Sequence, residues 1–384
     1  MPGNEKRVLI LADANARAAI ATLRALKGRD ISIHLCFNKR TNMMHKIIYH
    51  KYHTNAPLHY DGTSEEAFLK SLVSIKTTIG GYILLPYGEK LLRWAVKQKK
   101  ELKKEGIILP TVNFEKYTML SDKESFANLC KDFNIEVPPE IQINWSTFNQ
   151  KFVIKPKKLE TDQRCLKYPL LVENSGSFQQ LKATNIDITK HLIQEYIDGP
   201  SIYYCAYWEN GAVKLRFMQK NLVQQPAGKS VIKAVPYNIP RDILDKIENM
   251  LQQINWEGVI MIEIKEDLET HKYYAIEANP RFWGPLQIAI DNGINFPAAL
   301  VGLDIKENKP KDTFGYLWLG GYVSGFFIKF QTKTDFQRFR ESNSKRVIYR
   351  DIWLRKDTYA YFFIEPIMTV ITNVRKMYRS AIEN

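Results

Sequence analysis

The chain has 384 residues, 45% hydrophobic and 25% charged, an ordinary globular composition long enough for two or three domains and without internal repeats or low-complexity tracts. A net charge of +14 favours anionic partners: nucleotides, phosphorylated substrates, nucleic acid or an anionic membrane surface. Four scattered cysteines, Cys36, Cys130, Cys165 and Cys205, form no CxxC pair, which argues for a reducing compartment and against a zinc site. The N-terminus shows no signal-peptide pattern, so a cytoplasmic location is expected.

Residues 1–112 read as an α/β domain. Apolar runs at Arg7–Leu11, Ile31–Phe37, Tyr82–Leu85 and Ile107–Leu109 are predicted strands. Between them lie an Ala-rich helix over Asn15–Lys27, closed by Gly28, and a helix from about Glu89 to Lys104. Strands alternating with helices imply a parallel sheet. The first turn, Asp13-Ala14-Asn15-Ala16, lacks G-x-G-x-x-G and carries no dinucleotide fingerprint. His45, His50, His53 and His59 cluster without any zinc-ligand spacing and are expected to be surface residues.

Residues 113–305 read as a second domain, with a small lid subdomain at about 140–190. Ser121 or Asp122 can cap a helix whose apolar side holds Phe126, Leu129, Cys130 and Phe133, and Pro138-Pro139 then forces extended chain. In Lys151–Pro156, Phe152 and Ile154 take one strand face and Val153 and Lys155 the other. A lysine on an apolar strand needs an anion or a route to water. The stretch Lys157–Cys165 holds no glycine. His191–Gly199 is a strand running into a turn. Tyr203–Trp208 and Val213–Gln219 form a hairpin turning at Asn210-Gly211. Lys220 follows, then a loop with Pro226, Gly228, Lys229 and Ser230, and a helix over Arg241–Ile254.

The stretch Gly258–Gly284 carries the most chemistry. Two apolar runs, Val259–Ile264 and Tyr273–Ala278, flank the charged connector Lys265–Lys272 and predict a β-hairpin. Centred on Thr270, that hairpin sets Glu263 opposite Glu277, with Glu277, Asn279 and Arg281 on one face. Ile262, Ile264, Ile276 and Ala278 then face a core. Two carboxylates opposed across a strand pair repel, so a cation is expected between them. Mg²⁺ fits, because it takes one or two carboxylates and completes its shell with water and phosphate oxygens. On this reading, neutralising Glu277 should leave the metal-free protein at least as stable as before.

Glu263 and the run Glu277-Ala278-Asn279-Pro280-Arg281, followed by Phe282-Trp283-Gly284-Pro285-Leu286-Gln287, resemble the metal-binding core of the ATP-grasp superfamily, in particular its carboxylate–amine ligases and the carbamoyl-phosphate-synthase-like branch. The similarity covers about Asn113 to Leu303. The resemblance implies a multidomain α/β and α+β architecture: a parallel α/β pre-ATP-grasp domain (1–112), a two-lobed ATP-grasp fold (113–305) and a C-terminal extension (306–384). It implies ATP with Mg²⁺, or Mn²⁺ in its place, as cofactors. Glu263, Glu277 and Asn279 would hold the metal, Lys123 and Lys155 the phosphates, and Arg281 the transferring phosphoryl group. Backbone groups of Gln194, Glu195, Tyr196 and Ile197 would meet adenine, and Lys220 a phosphate or substrate carboxylate. Where many relatives carry an acidic residue for the ribose, this chain has Ser201. The implied activity joins a small-molecule carboxylate to an amine through an acyl phosphate. A kinase acting on a small molecule, or a nucleotide-binding protein without turnover, are the alternatives. No nucleic-acid module is visible, and the oligomeric state, including a homo-oligomer, stays open.

Past Leu303 the chain is aromatic and basic. Phe314–Phe327 is too short to span a bilayer and predicts buried strands. The region from Lys329 is expected to pack on the rest of the protein as a helical subdomain, with a peripheral membrane or partner contact as the alternative.

Overall fold

The structure, a computed structural model, describes residues 6–12, 16–40, 48–52, 56–158, 164–166, 168–225, 230–304, 311–323, 347–368 and 371. The chain divides into two compact units. The first comprises Met1–Pro110, Gln219–Tyr237 and Phe282–Asn384, and the second Thr111–Met218 and Asn238–Arg281.

The first unit opens with β1 (Arg7–Leu11), α1 (Ala16–Leu26), β2 (Ser32–Asn38), β3 (Leu58–Tyr60), α2 (Glu65–Ile79), β4 (Tyr82–Leu85), α3 (Glu89–Lys97), α4 (Lys99–Lys104) and β5 (Ile107–Ile108). All pairings are parallel, in the order β3-β2-β1-β4-β5. Val8 to Leu11 are fully buried, as expected for a strand covered on both faces. Gly28 takes the left-handed conformation just past α1, at φ 73°. The predicted helix over Glu89–Lys104 is two helices, because Gln98 leaves helical geometry at φ −104°, ψ 16°. His45 and His53 lie outside the described residues. His50 sits in a 3₁₀ turn and His59 in β3.

The second unit continues with α5 (Phe114–Ser121), α6 (Lys123–Asp132), β6 (Phe152–Pro156), β7 (Leu170–Val172), α7 (Ser175–Lys182), β8 (His191–Glu195), β9 (Ser201–Glu209) and β10 (Ala212–Gln224). The end of β10 and β11 (Val231–Pro236) belong to the first unit. The second unit resumes with α8 (Arg241–Gln253), β12 (Gly258–Glu266) and β13 (Tyr273–Asn279). The last elements, α9 (Leu286–Asp291), α10 (Phe296–Leu300), β14 (Phe314–Leu317) and β15 (Ile348–Asp351), belong to the first unit.

Two sheets build the second unit. One is three-stranded, β7-β6-β8, and Phe152, Ile154, Val172, Phe178 and Leu181 form its core against α7. The other runs β13-β12-β9-β10. The β9–β10 connection turns at Asn210 and Gly211, both at positive φ (53° and 70°), as the Asn-Gly pair predicts. In the first unit the end of β10 pairs with β11, β11 with β14, and β14 with β15. The segment predicted as a loop after Lys220 is therefore strand on both sides of residues 226–229, which lie outside the described residues.

Candidate functional site

The β12–β13 hairpin has the predicted register at its centre. Glu263 pairs with Glu277, Ile262 with Ala278 and Met261 with Asn279. Past Glu263 the register shifts, and Ile264 pairs with Ala275. Ile276 is the extra residue of a β-bulge. It is only half-buried, and Ala275 takes its expected place on the core face beside Ile262, Ile264 and Ala278. The bulge frees the Ile276 carbonyl from the ladder, and Lys155 Nζ donates to it at 3.0 Å.

The side chains on the open face are strung together. Glu277 Oε1 accepts from Asn279 Nδ2 at 2.8 Å, and Asn279 Oδ1 accepts from Arg281 at 2.8 Å. Lys123 Nζ reaches Glu277 Oε2 at 2.9 Å. Lys123 opens α6, whose first amide donates to the Lys157 carbonyl just beyond β6. One backbone bond thus couples the two segments that carry Lys123 and Lys155. Ser201 Oγ donates to Glu263 Oε1 at 2.5 Å. Lys265, on the same face of β12 as Glu263, donates to the Ile197 carbonyl at 2.9 Å and lies 4.6 Å from the Tyr196 ring centre.

The two carboxylates titrate in opposite directions. Burial, then repulsion from Glu277, pushes Glu263 up from the ordinary carboxylate range. Burial also opposes ionisation of Glu277, but the charge and hydrogen bond of Lys123, with the Asn279 amide, overturn it and hold Glu277 low. Lys155 is 5% exposed; burial first, and the Lys123 charge next, lower it to about 8. The site therefore holds one carboxylate with an ammonium in direct contact, Glu277, and one, Glu263, whose direct side-chain partner is the Ser201 hydroxyl.

This donor set fits a hard divalent cation. The groups are two opposed carboxylates and an amide, and burial together with the Glu277 charge disfavours ionised Glu263 in spite of Lys265 and Lys155. Among the described residues no group of three or more His, Cys, Asp and Glu forms a ready cation cage. A cation here would have to complete its shell with oxygens from outside the protein, a habit of Mg²⁺ more than of Ca²⁺.

The hinge residues Gln194, Glu195, Tyr196 and Ile197 lie where β8 ends. Glu195 N–H donates to the Pro139 carbonyl at 2.9 Å, and Gln194 Nε2 to the Pro138 carbonyl at 3.0 Å. Gln194 Oε1 is a buried acceptor without a partner among the described residues. Lys123, Lys155, Glu263, Glu277, Asn279, Arg281 and the hinge all belong to the second unit; Lys220 belongs to the first, its ammonium 4.9 Å from the Tyr237 ring centre. Lys265 was missed as a site residue, and Ser201, noted only as standing where relatives carry an acidic ribose contact, was not expected to bond Glu263. The signal for Lys265 was its i+2 spacing from Glu263 on one strand. The placement of Ser201 beside Glu263 depends on the β9–β12 pairing, in which Ser201 lies opposite Lys265.

No protein-family model and no curated protein matches this sequence. Among solved structures, the chain is similar to the biotin carboxylase domain of the Hydrogenobacter thermophilus 2-oxoglutarate carboxylase, described as a dimer with MgADP, ADP and bicarbonate. The TM-score is 0.58 at 13% identity, over 80% of this chain and 72% of that one. It is similar to an L-amino acid ligase from Bacillus licheniformis, with TM-score 0.54 and 16% identity over 77% of this chain and 74% of that one. It is also similar to pyruvate carboxylase from Rhizobium etli, with TM-score 0.58 and 14% identity over 78% of this chain. The chain spans only 28% of the length of that carboxylase. At such identities the likeness concerns the fold, and the chain has the ATP-grasp fold, preceded by a parallel α/β domain.

Proposed function

We propose that this protein is an ATP-dependent ligase that joins a carboxylate to an amine. The observation that carries the proposal is the opposed Glu263–Glu277 pair, with Lys123, Lys155, Asn279 and Arg281 gathered around it on an ATP-grasp fold. Solved structures of similar fold include an amino acid ligase and a carboxylase with MgADP, which agrees with the reading. Glu263, Glu277 and Asn279 hold Mg²⁺, which when bound neutralises phosphate charge. Lys155 and Lys123 hold the phosphates, and the Gln194–Ile197 hinge takes the base. Arg281 stabilises the phosphoryl group in transit to the substrate carboxylate. The amine then displaces phosphate from the resulting acyl phosphate. No side-chain nucleophile is needed, because phosphoryl transfer is catalysed chiefly by positioning and charge neutralisation.

The test is ADP release against paired panels of carboxylic acids and amines, with products read by mass spectrometry. An amide formed in step with ADP supports the ligase. ADP with a phosphorylated alcohol and no amide would make the protein a kinase, and Mg²⁺–ATP binding without any ADP would make it a nucleotide-binding module.

A further inference from the structure

Residues 359–368 are helical, as is Ile371. This segment belongs to the first unit and has no role in the proposed reaction. Its N-terminal end is fixed. Asp357 receives Arg24 Nε and the Tyr52 hydroxyl, each at 2.8 Å, and Thr358 Oγ1 accepts from Arg24 at 2.7 Å. The rotation of the helix is fixed as well. Its single charged side chain, Glu365, turns inward, where Trp318 Nε1 donates to both carboxylate oxygens at 3.1 Å. Helical residues advance by about 100° each, so positions two away from Glu365 point to the opposite side. Phe363 and Ile367 occupy those positions and are 62% and 60% exposed.

The exposed side is therefore a stripe. Tyr359, Phe363 and Ile367 follow one another at four-residue spacing, with Ile371 next in the series, and all are exposed. Of the ten large hydrophobic residues exposed on the described surface, five fall between Leu354 and Ile371. A contiguous apolar surface of this kind marks an interaction site, unlike scattered single exposures. Its rim is cationic. Lys51 and Lys356 are exposed there, and Lys51 Nζ lies 5.3 Å from the Tyr359 ring centre while donating to the Lys356 carbonyl. No described helix is long and apolar enough to cross a membrane.

We infer that the Tyr359–Phe363–Ile367 face of the C-terminal helix docks on an anionic lipid surface, lying in the plane of the interface. The apolar stripe enters the acyl boundary and the rim lysines meet the headgroups, the division of labour of interfacial helices. Charge selects this occupant over a second copy of the chain. Two copies at +14 each repel, whereas a negatively charged bilayer attracts the same surface.

The test is co-sedimentation of the full-length protein with vesicles of phosphatidylcholine containing 30% phosphatidylglycerol, against phosphatidylcholine alone, at low and high salt. The wild type is expected to bind the anionic vesicles at low salt and to leave them as salt rises. F363D/I367D, checked for an unchanged melting temperature, is expected to bind about tenfold or more weakly. K51E/K356E alters only exposed residues, so it reads the rim even if the first variant fails to fold, and it is expected to weaken binding and flatten its salt dependence. Wild type that stays off anionic vesicles overturns the inference, as does either folded variant binding like wild type. A wild-type dimer that F363D/I367D dissociates, without vesicle binding, would assign the face to a second copy instead.

Discussion

Glu263 and Glu277 oppose each other, yet only Glu277 has an ammonium in hydrogen-bond contact. The electrostatic penalty of the pair therefore falls on Glu263, which corrects the expectation that Glu277 could be neutralised freely. Glu277→Gln breaks the Lys123–Glu277 ion pair, a contact partly exposed on both sides, and should cost about 1 kcal/mol of metal-free stability. For a chain of this length that corresponds to a melting temperature lower by about 1 °C. Glu263→Gln should leave that temperature unchanged or raise it. Melts of the two variants without nucleotide check both; a Glu263→Gln protein that melts several degrees lower would contradict the assignment. Lys155 supplies a pH dependence. Its ammonium is lowered to about 8 by burial, so the folded protein carries the cost of the buried charge below that pH. As pH rises from about 8 toward the ordinary lysine value of ~10.4, the unfolded chain keeps a proton that the folded protein has released, and stability rises with pH. Phosphate needs the charged form, so Mg²⁺–ATP affinity should fall between pH 7.5 and 9. Lys155→Ala should weaken it about 10- to 100-fold at pH 7 and abolish the pH dependence. Calorimetric titration measures all of these, and a pH-independent wild-type affinity would remove Lys155 from the phosphates.

Among the elements, the hairpin and the hinge lean on each other through backbone. A Cβ on Gly199 would meet the Glu266 carbonyl oxygen at 1.7 Å, with no side chain between to yield. Leu268 N–H also donates to the Asp198 carbonyl across this contact. Gly199→Ala should therefore cost about 2 kcal/mol or more and shift the hinge away from β12. A variant with wild-type melting and nucleotide affinity would show that the contact is soft. Glycine at 199 was visible in the sequence as a turn residue, but the approach of β12 was not, since it depends on tertiary placement. The same limit explains Ile276. Alternation predicts a regular strand, and a bulge leaves no mark in a run such as Tyr-Tyr-Ala-Ile-Glu. Local signals did carry the Glu263–Glu277 register, the Asn210-Gly211 turn and the placement of Lys155 opposite Phe152 and Ile154. Helix α2 was legible and passed over: Ser64 caps it and accepts from Ala67 N–H, and Phe68, Leu72 and Ile75 mark its buried face. Helix α6 starts where expected, with Asp122 at its N-cap position, whereas α5, capped by Asn113 just before it, was not expected.

On the scale of the whole molecule, the C-terminal region is part of the first unit's framework. β15 pairs with β14, Ile352 and Trp353 are buried, and Arg355 grips Asp291 through two bonds of 3.0 and 2.6 Å. Arg17 of α1 stacks 3.8 Å over Trp318 and bonds Ser230. Truncation after Asn308 removes Trp318, Trp353 and Asp357 together, and should yield insoluble or molten protein, read as lost near-ultraviolet dichroism. A soluble truncation with a sharp melt would contradict this. The central claim, that the opposed carboxylates hold the metal of a nucleotide site, concerns the whole protein through linkage, because a ligand that binds only the folded state raises its melting temperature. The most direct measurement is the thermal shift produced by Mg²⁺–ATP in wild type, Glu263→Gln and Glu277→Gln. The expected result is a clear shift in wild type, dependent on Mg²⁺, and none in either variant, since an amide is a much poorer Mg²⁺ ligand than a carboxylate. If either variant keeps the full wild-type shift, the metal does not sit between Glu263 and Glu277.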